Sequence, residues 1–130
     1  MKKATPIAIL ILCAVGFTSA LAQGPFQQAK PTAADSARLA KLEKAYKAAK
    51  AALAKSPKNA KAKKDFATIG SAYGHESMLS PALPPRVKYP QALRIYNEVL
   101  KVDPNEPTAK KESELIISIY KQMGRPIPKG

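Results

Sequence analysis

A chain of 130 residues has room for one domain, and its 22 basic against nine acidic side chains give a formal charge of +13. With one cysteine and one histidine, no disulfide can form within the chain and no zinc site can be assembled from these two residue types alone. The charge favours anionic partners, although lysine also solvates exposed helix faces and is a good helix former.

The first elements are targeting signals. Lys2 and Lys3 precede an uncharged apolar run from Ile7 to Phe17. Ala20-Leu21-Ala22 then places small residues where a signal peptidase inspects the chain. Residues 1–22 therefore read as an export signal cut before Gln23, and the protein is expected to be periplasmic or extracellular. The run is shorter than the ~20 residues that span a bilayer comfortably, so a retained N-terminal anchor is the second reading. Cys13 lies inside the run after bulky Leu12, which argues against lipid attachment there. Residues 23–31, with Gly24, Pro25 and Pro31, form a flexible leader, residues 32–124 the folded domain and residues 125–130 a C-terminal tail.

Four helices follow in order. Thr32 and Asp35 have the spacing of a capping box that opens the first. Leu39, Leu42, Tyr46, Ala49 and Leu53 then draw one apolar stripe, with Lys41, Lys44, Lys47, Lys50 and Lys55 elsewhere on the wheel. Ser56-Pro57 closes this helix. The second runs from about Ala60 to His75 on the stripe Ala62, Phe66, Ile69 and Tyr73. Residues 74–89, with Pro81, Pro84 and Pro85, read as a long Pro-rich loop folded back by Met78, Leu79, Leu83 and Val87. Pro90 opens the third helix, on Ala92, Ile95, Tyr96, Val99 and Leu100, and Asp103-Pro104 ends it. Pro107 opens the fourth, on Leu115, Ile116, Ile119, Tyr120 and Met123, before Gly124, Pro126 and Pro128. No segment alternates as a half-buried strand does, so the chain is all-α.

The second and fourth helices repeat one another without a gap. Ala62-Lys63-Lys64-Asp65 matches Ala109-Lys110-Lys111-Glu112, and Ile69, Ser71 and Tyr73 match Ile116, Ser118 and Tyr120. Ala45 and Leu53 match Ala92 and Leu100 at the same offset, which also separates Pro57 from Pro104. A fixed period of this length marks stacked helical units. Phe66, Ile69, Gly70 and Tyr73, then Ala92, Tyr96, Val99 and Pro104, have the order of a tetratricopeptide repeat, and the region from Asp35 to Gly124 resembles that family. The resemblance implies antiparallel helical hairpins stacked as a short solenoid of about four helices. Gly70 and Ala92 would be the small residues where helices cross, with Phe66, Tyr73 and Tyr96 filling the space around them. It departs from the pattern where Ala49 replaces an aromatic, and where Ser113 and Ile117 replace the bulky residue and the glycine.

Nothing in the sequence outlines an active site. His75-Glu76 does not continue to a second histidine, no Gly-rich phosphate loop appears, and Ser71, Ser77 and Ser80 lack a nucleophile-elbow context. The chain reads as a protein-binding or scaffold module with no cofactor and no metal. The tetratricopeptide resemblance implies a concave groove facing Lys64, Ala67, Ser71 and His75 on the second helix. On the fourth it would face Lys111, Glu114, Ser118, Lys121 and Gln122. Ile117 is expected to sit in an exposed apolar patch open to a partner or a second copy. The competing reading is a basic protein that binds an anionic envelope polymer, lipid or nucleic acid. Tyr46 is the sole aromatic among the lysines from Lys41 to Lys64, so no stacking platform supports nucleic acid.

Overall fold

The computed structural model describes residues 29–129, so the expected export signal over residues 1–22 and most of the expected leader lie outside the described residues. Four helices follow one another: α1 (Ala33–Lys55), α2 (Ala60–Leu79), α3 (Pro85–Val102) and α4 (Pro107–Gln122), with no strand among the described residues. Each packs antiparallel on the next, and α4 also returns to α2. Within α1, Tyr46 and Ala49 are buried while Leu39, Leu42 and Leu53 are packed at the edge of the core, as its stripe requires.

Helix ends are set by local hydrogen bonds. Thr32 Oγ1 accepts from the Asp35 N–H at 3.2 Å, and the Asp35 carboxylate accepts from the Thr32 N–H at 2.9 Å, a complete capping box. The α1–α2 and α3–α4 connections share one design. The Asn59 N–H donates to the Ser56 carbonyl at 3.0 Å, and the Glu106 N–H to the Asp103 carbonyl at 3.2 Å. In each case the same residue then caps the next helix: Asn59 Oδ1 accepts from Ala62 N–H at 3.0 Å, and Glu106 from Ala109 N–H at 2.5 Å.

The expected loop over 74–89 is not what the chain forms. α2 continues to Leu79 and α3 begins at Pro85, which leaves only residues 80–84 as connection. Pro90 lies inside α3 rather than at its start; Pro85 takes the first-turn place where a missing N–H costs nothing. Of the side chains expected to fold back, Met78 is buried and Leu83 half-buried, whereas Leu79 and Val87 are exposed.

The core is centred on α2 and α3. Leu93, Ile95, Tyr96 and Val99 on α3, and Ile116 on α4, are almost fully buried, each contributing about 1.5–3 kcal/mol from lost apolar surface. Two glycines let α2 and α3 approach. A Cβ on Gly70 would stand 2.5 Å from Val99 Cγ2, and one on Gly74 would meet Cζ and Cδ1 of Tyr96 at 2.8 and 2.9 Å. Gln91 donates to Tyr73 and Ser77 along the same seam. This register sets Ala92 near Ser77, about two turns from Gly70, so the close crossing is made by Gly70 and Gly74 with Ala92 buried beyond it. Tyr46 spans α1 and α2, its ring 5.5 Å from Phe66 and 5.4 Å from Tyr73.

Candidate functional site

A polar groove of about 460 Å³ runs between α2 and α4. Thr68, Ser71, Ala72 and His75 line it from successive turns of α2, while Thr108, Glu112 and the cap residue Glu106 line it from α4. Helical spacing explains the α2 set, since residues three and four apart share a face. The turn at Asp103–Glu106 delivers α4 beside α2, which brings Glu112 to His75.

Glu112 is the organising residue. One carboxylate oxygen lies 2.7 Å from His75 Nδ1, and the other accepts the phenol proton of buried Tyr96. Burial first, then this bond to Glu112, pushes the Tyr96 phenol well above its ordinary value, so it stays a donor. Ser71 is buried at the groove wall, and its hydroxyl has no hydrogen-bond partner. An orphaned buried hydroxyl has a desolvation cost that a ligand or water donor would relieve. Ser71, His75 and Glu112 do not form a hydrolytic relay, because Ser71 Oγ is enclosed and makes no bond to the imidazole. Among the described residues no group of three His, Cys, Asp or Glu side chains could hold a metal ion. The groove offers hydrogen-bond acceptors, a hydroxyl and a carboxylate-bound imidazole, a surface for recognition.

A second polar cluster ties α1 to α3. Tyr46 donates to Glu98 at 2.5 Å and Lys50 to the same oxygen at 2.6 Å, with Arg94 at 3.8 Å from the other. Burial acts to raise the Glu98 carboxyl, but the hydrogen bonds from Lys50 and Tyr46, with the charges of Lys50 and Arg94, bring it below its ordinary value.

Of the residues the sequence nominated for partner binding, the structure brings Ser71 and His75 into this groove. Ala67 is buried in the core beside it. Lys64, Lys111, Glu114, Ser118, Lys121 and Gln122 are exposed but do not line it. Ile117 is half-buried and packed against the core; the exposed apolar residues of α4 are Leu115 and its C-cap Met123. The groove walls are thus free of lysine and carry two carboxylates. Glu112 escaped the sequence reading because it appeared only as the acid ending a repeated Ala-Lys-Lys block. One cue existed: Glu112 lies on the helix equivalent to the one bearing His75. No protein-family profile, curated protein sequence or solved structure matches this chain.

Proposed function

We propose that the protein is an exported, tetratricopeptide-like interaction module that holds a segment of a partner protein in the α2–α4 groove. The observation that carries this reading is a lysine-free groove between α2 and α4 in which His75 and Glu112 are held in place by each other and by Tyr96. Support for the repeat character comes from the two glycine crossings under Val99 and Tyr96 and from the two connections that share turn and cap. The expected ligand presents hydrogen-bond donors, such as backbone amides or a cationic side chain, to Glu106 and Glu112.

A photo-crosslinking residue at Ala72, on the groove wall, tests this against one at Ala51, exposed on α1. In the native envelope, position 72 should yield a discrete adduct and position 51 none. Ala72→Arg should abolish co-purification of the adduct protein without lowering thermal stability. Equal labelling from both positions would remove the groove from consideration.

A further inference from the structure

We infer that the end of the molecule where α3 begins and α4 stops is a contact surface for an anionic lipid bilayer. The starting observation is a charge gap. Neither residues 77–97 nor residues 115–129 contain a single aspartate or glutamate. Among the described residues, Arg86, Lys121, Arg125 and Lys129 have no carboxylate partner. Lys88 is mostly buried, its ammonium 5.6 Å from the centroid of the Tyr89 ring.

The same end is apolar and aromatic. A cleft of about 110 Å³ between the start of α3 and the end of α4 is walled by Tyr89, Ile119, Tyr120 and Met123, with Arg86 and Arg125 also lining it. Met123 is 54% exposed, and Val87 and Ile127, next to Arg86 and two residues beyond Arg125 in the chain, are 44% and 41% exposed. Cations alone would not single out this surface, since α1 carries Lys41, Lys44 and Lys47 just as openly. Those lysines stand among alanines. Among the described residues, only the α3–α4 end sets unpaired cations around exposed large apolar side chains and tyrosines, the combination that suits a headgroup layer over hydrocarbon. A nucleic acid would match the charge and leave the apolar groups uncovered.

No helix among the described residues is long and apolar enough to cross a membrane; the contact is interfacial. From Glu112 to Met123 along α4 is about 17 Å, so the α2–α4 groove stays clear of the lipid. The assignment does not depend on what the groove binds.

The test uses the mature chain expected from cleavage before Gln23, which holds no cysteine, with one new cysteine, either Met123→Cys or Lys58→Cys at the opposite end, carrying an environment-sensitive fluorophore. Vesicles of phosphatidylglycerol with phosphatidylcholine are compared with phosphatidylcholine alone. The label at 123 should shift to the blue with anionic vesicles only, and the label at 58 should not move. Arg86→Ala with Arg125→Ala should lower the docking equilibrium roughly 30-fold, about fivefold for each cation lost. Both arginines are exposed, so an unchanged thermal melt verifies that the double variant is folded. A shift of equal size on neutral vesicles, a shift at 58 instead of 123, or indifference to the double substitution overturns the assignment. So does a concentration-dependent shift without vesicles, which would mean that a second copy covers the patch.

Discussion

Gly70 and Gly74 show how much one hydrogen atom decides. Alanine at either position gains about 1 kcal/mol of helix propensity, but the new methyl collides with α3. At Gly74 it strikes several atoms of the rigid Tyr96 ring, and overpacking of this kind costs about 1–3 kcal/mol. Gly74→Ala should lose about 1–2 kcal/mol net, whereas Gly70→Ala, meeting one methyl of Val99, should fall within about 1 kcal/mol of the parent. Urea titration of both variants checks the order, and a Gly74→Ala protein as stable as the parent would refute the crossing. Gly70 was readable from its spacing to Phe66 and Tyr73. Gly74 was not, because a glycine after a tyrosine with prolines downstream reads as a helix end, and only α3 lying across it reveals its use.

Among the elements, α1 and α4 were legible and the α2–α3 junction was not. The caps explain this. Thr32 with Asp35 and the Pro104–Pro107 region are local signals that the structure honours with local bonds. The junction depends on tertiary packing: Ser77, Met78 and Ser80 are buried, so α2 persists one turn beyond where its composition weakens. Pro90 misled for the same reason, since burial of Lys88, Ala92 and Leu93 holds α3 helical through a residue with no N–H. Pro90→Ala restores a donor for the Arg86 carbonyl and should stabilise the protein by about 2 kcal/mol, less the unfolded-state stiffness that proline confers. Calorimetry giving a lower melting temperature for this variant would contradict the view that Pro90 strains α3.

At the scale of the whole molecule, stability should depend on pH through its buried phenols. Burial is the largest cause that raises Tyr46, Tyr73 and Tyr96 above their ordinary value of 10.0; the carboxylates of Glu98 and Glu112 add to it for Tyr46 and Tyr96, and the charge of Glu43 for Tyr73. Raised folded-state values mean stability fully present below pH 10 and lost as pH climbs beyond it. Glu98 is lowered from 4.5, so its contribution is present above that pH and fades as pH falls beneath it. Melting temperature should therefore plateau from about pH 5 to pH 10 and drop on both sides, and Tyr96→Phe should lower the plateau while flattening the alkaline limb. An alkaline limb as steep in Tyr96→Phe as in the parent would show that this phenol is not what the base attacks. The candidate groove was half legible for a related reason. Ser71 and His75 came from the tetratricopeptide resemblance, as one face of one helix, but Glu112 is joined to His75 across the fold, and its second tie is to a tyrosine on a third helix.

The matching connections at Ser56–Asn59 and Asp103–Glu106 have one more consequence. A stretch that starts and finishes on the same bend can be spliced to itself without asking the backbone for a new shape. Inserting a further copy of residues 57–103 after Asp103 would hand each seam a capping residue already suited to the helix that follows, so this short chain holds the joint from which a longer one could be grown.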